Sequence, residues 1–187
     1  VPGAGAWLGL ADLHARQLPA SDGTSWRIQW MAIDSRFHLP AVTHFVRRRH
    51  GVIAVRGVEG WDHPFFGRRK PQDLRADGKV QRGGAVIVPV GDWSLKQQLM
   101  AWLRQPAAEV GRPNPPGWCH FSLQHDAEYF RQLTAERLII EGDGPGQRYW
   151  KKTGPNEGLD ARKYALSVAC GLGLHTFGPA EWDRLEE

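Results

Sequence analysis

Near the start of the chain, apolar side chains fall at Trp7, Leu8, Leu10 and Leu13. This is the period of a helix, and it predicts one from Ala6 to Gln17, ending before the turn-forming Ser21-Asp22-Gly23. The run from Trp26 to Asp34 alternates and then becomes continuously apolar, as a strand does on entering the middle of a sheet, and it ends on an acid. Leu39 to Arg48 has helical spacing, with Pro40 in the first turn, where its missing N–H costs nothing. Val52 to Arg56 reads as a short β-branched strand after Gly51. Strand, helix and strand in this order predict a parallel pair whose functional edge is the carboxyl end of its strands, where Asp34 stands.

From Gly57 to Gly84 glycine, proline and charge dominate, which predicts an extended functional loop. Ala85 to Val90 reads as a strand, and Ser94 to Arg104 as an amphipathic helix carrying Leu95, Leu99, Trp102 and Leu103. A proline-rich loop, Arg112 to Gly117, precedes a minimal strand at Trp118 to Phe121. Then comes a helix over Ala127 to Leu138, with Tyr129, Phe130, Leu133 and Leu138 inward. Leu138 to Glu141 leads into a hairpin that crosses Gly142 to Gly146 and returns along Arg148 to Lys151. A last helix follows Asn156, with Leu159, Tyr164, Ala165 and Val168 as its buried stripe. Beyond Leu174 the tail, residues 175–187, reads as peripheral, and no internal repeat is visible.

A length of 187 residues suits one domain over the whole chain. The 24 basic and 20 acidic side chains leave a formal +4, enough to permit contact with a polyanion but not to require it. Their distribution says more. Arg47-Arg48-Arg49-His50 and Arg68-Arg69-Lys70 gather positive charge in the first half, and Lys151-Lys152 stand just before the last helix, although each run also reads as a solvated face. Cys119 and Cys170 lie far apart among apolar neighbours, the pattern of buried free thiols in a reducing compartment. No apolar run approaches the ~20 residues of a membrane span, so a cytosolic protein is the default. The chain opens on Val1-Pro2-Gly3 without a methionine and reads as a piece of something longer.

Several chemistries are excluded. No Gly-x-x-x-x-Gly-Lys-Ser/Thr loop is present to cradle a nucleotide, because Asp77-Gly78-Lys79-Val80 lacks the upstream glycine and the hydroxyl. There is no Gly-x-Ser-x-Gly elbow, and the eight histidines show no zinc-binding spacing. What remains is a set of hard oxygen donors. Glu157 and Asp160, three residues apart, share one face of the last helix, and Asp34 ends a strand. Carboxylates without softer ligands favour Mg²⁺ or Mn²⁺. A strand-end acid with a helix acid is also how two-metal phosphodiester hydrolases are assembled, their ions ~3.5–4 Å apart. The plainer readings stay open: two acids in a first turn complement the helix dipole, with Asn156 as N-cap, and Asp34 is a turn acid ahead of a helix.

Taken in order, a series of blocks resembles the nuclease domain of the large terminase subunit of lambda-like tailed bacteriophages. They are Trp30-Met31-Ala32-Ile33-Asp34-Ser35, the helix ending Phe45-Val46-Arg47-Arg48-Arg49, Ile53-Ala54-Val55-Arg56-Gly57, Val90-Gly91-Asp92 followed by Lys96, His120-Phe121-Ser122, Tyr129-Phe130-Arg131-Gln132-Leu133-Thr134-Ala135-Glu136, Tyr149-Trp150, and Asn156-Glu157-Gly158-Leu159-Asp160 running into Tyr164-Ala165. The resemblance runs from about Trp26 to Leu174. It implies an α/β fold of the RNase H-like kind, a mixed sheet flanked by helices, here lacking its first strand or strands and the acid they carry. The implied activity is that of a two-metal endodeoxyribonuclease cutting concatemeric double-stranded DNA during packaging, with competence reduced in a chain without that strand.

By the same resemblance Asp34 and Asp160 are metal ligands, with Glu157 beside Asp160 as a second ligand or an outer-shell acid, and two Mg²⁺ or Mn²⁺ ions are expected. Lys96 is implied as a phosphate contact, and Arg56, Arg68, Arg69 and Lys70 as DNA-binding residues. The implied partners are double-stranded DNA, the small terminase subunit, the portal of the prohead and the ATPase domain of the same subunit. The setting is a bacterial host cytoplasm, with the gene carried by a phage or prophage. Two other readings are kept beside it. One is a catalytically silent module of the same fold that docks on DNA or portal. The other is a cellular RNase H-like resolvase or transposase nuclease, against which the Gln132 to Glu136 block argues.

Overall fold

The structure is a computed structural model describing residues 4–20, 23–142 and 148–186. It is a mixed α/β chain that divides into two compact units, Val1–Gly57 with Arg68–Pro89, and Val58–Gly67 with Val90–Glu187.

The first unit opens with helix α1 (Ala4–Ala15), as its period predicts, although Leu8 and Leu13 face solvent. Strands β1 (Gln17–Pro19) and β2 (Ser25–Arg27) form a small antiparallel ribbon. Ser21 and Asp22 of the predicted turn lie outside the described residues. The single strand expected from Trp26 to Asp34 is therefore two. Its alternating first part pairs within the ribbon, and its apolar second part is β3 (Met31–Asp34), which enters the main sheet.

Helix α2 (Leu39–Val46) joins β3 to β4 (Val52–Val58), and the two strands pair in parallel, with Met31 opposite Val52 and Asp34 opposite Val55. The strand, helix, strand unit read from the sequence is present. β4 is central and carries the most deeply buried run, Val52 to Val55, at 0 to 6% exposure. Side chains of this size stabilise by about 1.5–3 kcal/mol each on full burial. Val42 of α2 packs with Ala54 and Ile87, and Trp7, Ile33, Leu39 and Val46 close around them.

The long loop expected from Gly57 to Gly84 is corrected. Its second half is a hairpin of β5 (Lys70–Ala76) and β6 (Lys79–Gly91), so the sheet runs β3-β4-β6-β5. Asp77 and Gly78, at φ 50° and 71°, make the two-residue turn, the Asp-Gly pair favoured there because both central residues need positive φ. β5 is an edge strand that is exposed for most of its length, so it carries no apolar alternation.

In the second unit, helices α3 (Asp92–Leu103), α4 (Ala127–Leu133) and α5 (Glu157–Gly171) gather around Leu99, Leu133 and Leu159, each at 0 or 1% exposure. The helix predicted over Ala127 to Leu138 stops at Leu133. Thr134 turns its hydroxyl back onto the Phe130 carbonyl at 2.9 Å, and Leu138 lies in β7 (Glu136–Ile140). β7 pairs antiparallel with β8 (Arg148–Lys152), as the hairpin reading requires, with residues 143–147 of the connection outside the described set. Trp118 to Phe121 form no strand, and the tail contains a helix, α6 (Pro179–Glu186). Both cysteines are free and half-buried. Among the described residues no helix is long and apolar enough to cross a membrane.

Candidate active site

Helix α3 starts at Asp92, directly after the extended Gly91. Lys96 stands one turn on, the spacing at which helical side chains meet, and its ammonium lies 2.6 Å from Asp92 Oδ2. The same ammonium donates to Glu136 Oε2 at 2.7 Å, from the first residue of β7. Glu136 Oε1 accepts from Asn156 Nδ2 at 2.7 Å, and that amide also donates to Asp160 Oδ2 at 3.2 Å. Asp160 Oδ1 receives Lys163 Nζ at 2.5 Å, and Lys163 reaches on to Asp92 Oδ1, also at 2.5 Å.

The six side chains Asp92, Lys96, Glu136, Asn156, Asp160 and Lys163 thus close a ring of hydrogen bonds and ion pairs. Five of them are buried to 7% exposure or less, and the Asp160 side chain, 34% exposed, is the point at which the ring meets solvent. Burial pushes the Asp92 carboxyl up, but the charges and hydrogen bonds of Lys163 and Lys96 outweigh it and hold the group below its ordinary 3.8.

Asn156 sits at the N-cap of α5 as expected, yet its side chain makes no capping bond, because its amide is committed to the ring and its Oδ1 accepts from Lys152 Nζ at 2.5 Å. Gln132 of α4 accepts from Gly158 N at 3.0 Å and supplies a side-chain acceptor for the first turn. Beneath that turn Leu159 is fully buried, so the helix start is pinned on both faces.

The other expected residues take separate positions. Glu157 is exposed and joins none of these bonds. Asp34 ends β3 in the first unit, exposed, with Oδ1 accepting from Arg36 N at 2.9 Å, while Ser35 behind it is buried and donates to the Val55 carbonyl at 2.8 Å. The cap of α2 is His38, so Asp34 serves a turn rather than a helix. Lys96 is neither a solvent-facing helical lysine nor open to an approaching phosphate here, since both its carboxylate partners lie within 2.7 Å and it is 6% exposed. Arg56 is half-buried in β4, its Nε without a partner. Arg68, Arg69 and Lys70 are exposed where β5 begins.

Asp92, Glu136 and Lys163 form half of the ring, and sequence reasoning did not single them out. The helical spacings Asp92 to Lys96 and Asp160 to Lys163 were readable; the bonds from Asp92 to Lys163 and from Lys96 to Glu136 join residues 71 and 40 positions apart. Chemically, three carboxylates around two ammoniums leave a formal −1, and only Asp160 presents it to solvent. Among the described residues no group of three or more His, Cys, Asp or Glu is arranged to hold a metal ion.

The family model for the endonuclease domain of the terminase large subunit gpA matches residues 2–182. The chain belongs to that family. No curated protein and no solved structure matches it. The match runs through both units, and in this terminase nuclease domain the acid ring joins two blocks that carried the resemblance, Gln132 to Glu136 and Asn156 to Asp160, through the Glu136–Asn156 bond.

Proposed function

We propose that this domain is a metal-dependent endonuclease that cuts concatemeric double-stranded DNA during packaging, with Asp160 as its central carboxylate. The reading is carried by the family match over residues 2–182, together with an Asp160 bonded at both oxygens while its side chain stays 34% exposed. An RNase H-like fold is part of the proposal, supported by the parallel β3–α2–β4 unit and the mixed sheet.

The ring does not fit a two-ion site. Both oxygens of Asp92 and of Glu136 are taken by lysine or amide donors, and Lys163 stands between Asp92 and Asp160 as a counter-ion. In the second unit we propose the outer side of Asp160 and the exposed Glu157 on α5 as ligands for Mg²⁺ or Mn²⁺, and in the first unit, separately, Asp34. Such an ion, when bound, polarises phosphoryl oxygens and lowers the pKa of bound water. The protein's own part is to fix the Asp160 rotamer through Lys163 and Asn156. Arg68, Arg69, Lys70 and Arg56 are proposed to hold the DNA backbone, contacts that carry no sequence preference. Specificity is then assigned to the small terminase subunit, and translocation to the ATPase domain and portal.

The test is nicking of supercoiled plasmid with Mn²⁺. Asp160→Asn is expected to lose at least about 100-fold, the upper end of what groups merely supporting a metal site cost, while Glu128→Gln on the exposed face of α4 retains activity. Unchanged nicking by Asp160→Asn removes Asp160 from the chemistry. A second reading, a silent module that docks on DNA or portal, draws support from the lysines that already neutralise the carboxylates. Retained duplex binding with no cleavage by the wild-type chain at any Mn²⁺ concentration favours it.

A further inference from the structure

The charge of the chain is divided unevenly. The first unit carries thirteen Lys and Arg against five Asp and Glu, a formal +8, and the second carries eleven against fifteen, a formal −4. The ion pairs of Lys96, Arg112, Arg131, Lys163 and Arg184 all lie in the second unit. The first unit is therefore a source of net positive field.

Within it, helix α2 and the edge strand β5 border an open cleft of about 320 Å³, whose lining includes Thr43, His44, Arg47, Arg48, Leu74 and Ala76. His44, Arg47 and Arg48 stand at i, i+3 and i+4, so one face of α2 and its C-terminal turn directs three basic side chains there. The structure splits the Arg47-Arg48-Arg49 run by role. Arg49 is spent locally, its guanidinium 3.9 Å from the Phe45 ring centroid and Nη1 donating to the Phe45 carbonyl at 3.1 Å. Arg47 gives Nη2 to the Gly84 carbonyl at 2.6 Å and keeps its remaining donors. Arg48 and His44 are exposed, and among the described residues neither makes a side-chain hydrogen bond or ion pair.

Among the described residues no carboxylate lines the cleft. Asp73, on β5, accepts from Gly83 N at 2.9 Å. Thr43 contributes to the floor at 5% exposure, and its hydroxyl has no partner. Threonine has two χ1 wells in a helix, so a rotation that exchanges hydroxyl and methyl can present the donor to a bound oxyanion.

The geometry points to a phosphate-binding site in this cleft, taking either a phosphodiester of a DNA backbone or a free phosphate group. Arginine forks match the tetrahedral oxyanion, and the histidine and the threonine hydroxyl add donors of the kind that phosphate oxygens accept. The volume holds about ten waters at their liquid share of roughly 30 Å³, room for a phosphodiester and part of its sugar. The site shares no residue with the acid ring and does not rest on the catalytic reading.

Two probes are titrated into the 187-residue chain at constant ionic strength: inorganic phosphate by calorimetry, and a fluorescently labelled duplex by anisotropy. Arg48→Gln is expected to weaken phosphate by about tenfold, the loss of a charge-assisted hydrogen bond. Thr43→Val is near-isosteric and removes an unpartnered hydroxyl, so it should fold with an unchanged or raised melting temperature while weakening phosphate further. Arg16→Gln, the same charge change on an exposed side chain of the same unit, is the control. If the Arg48→Gln/Thr43→Val double variant loses affinity for both probes, the site is a backbone-phosphate contact. If it loses phosphate alone, the source is a free phosphate group. A double variant that loses no more than Arg16→Gln with either probe overturns the site.

Discussion

Replacing Lys163 with methionine keeps the length of the side chain and removes its charge. The ammonium is 2% exposed and bonds Asp92 Oδ1 and Asp160 Oδ1, each at 2.5 Å. Removing one partner of a buried ion pair costs about 3–5 kcal/mol, because the remaining charge is left desolvated. Two features set the expectation at the lower end: Asp92 keeps Lys96 at 2.6 Å, and the Asp160 side chain, 34% exposed, can hydrate. A loss of about 3 kcal/mol is roughly two orders of magnitude in the folded-to-unfolded ratio, or about 6–12 °C in melting temperature at this size. Urea unfolding at pH 7, followed by tryptophan fluorescence, measures it. Asp92→Asn and the double variant complete a cycle in which residues in contact couple by about 0.5–3 kcal/mol. A single-variant loss below about 1 kcal/mol, or single losses that add without coupling, refutes the ring as an energetic unit.

The pH dependence follows from Asp92. Its folded pKa lies below the ordinary 3.8, so the unfolded chain takes up the proton first; the contribution is fully present above 3.8 and is lost as pH falls below it through the folded value. Urea midpoints should fall in that window for the wild type and fall less for Asp92→Asn; an identical acid limb in both contradicts the assignment. Asp126 caps α4 by accepting from Tyr129 N at 2.9 Å, so Asp126→Ala should cost about 1 kcal/mol, seen as a lower urea midpoint at unchanged slope. At Gly158 an added Cβ meets Gln132 Cβ and the Tyr129 carbonyl at 3.3 Å. The helix-propensity gain of up to ~1 kcal/mol is then offset by crowding, and Gly158→Ala should stay within about 0.5 kcal/mol of wild type by the same measurement.

What the sequence displayed was whatever local periodicity encodes. The β3–α2–β4 unit was legible because β4 is buried across Val52 to Val55 and reads as an unbroken β-branched run. The β5–β6 hairpin was not, since an exposed edge strand has no apolar face to alternate, and Asp77-Gly78 was its one local sign. The helix expected through Leu138 failed for a tertiary reason: Leu138 and Ile139 sit opposite Trp150 and Tyr149, a pairing that overrides helical spacing. In the ring, the place of Asp160 on a helix face was legible from its spacing. Its partners were not, because the bonds of Asp92 to Lys163 and of Lys96 to Glu136 are properties of the folded chain.

A buried charge ring is not in itself a stabilising device, since apolar side chains of the same volume would hold α3, α5 and β7 together at least as well. What it supplies is placement. Three carboxylates crowded together repel one another. Two lysines between them remove that pressure on Asp92 and Glu136 and leave the surplus negative charge on Asp160, where solvent can reach it. Asp160 is bonded at one oxygen by Lys163 and at the other by Asn156, and each of these is tied to a second group, Asp92 or Glu136. A carboxylate fixed by neighbours that are themselves fixed meets a phosphate or a cation without first ordering its own side chain. On this reasoning Lys163 bears on the chemistry through orientation as well as on the fold through charge, and the two effects separate experimentally. At a temperature where Lys163→Met is still fully folded, nicking that falls with it marks the orienting role, and unchanged nicking confines Lys163 to the fold.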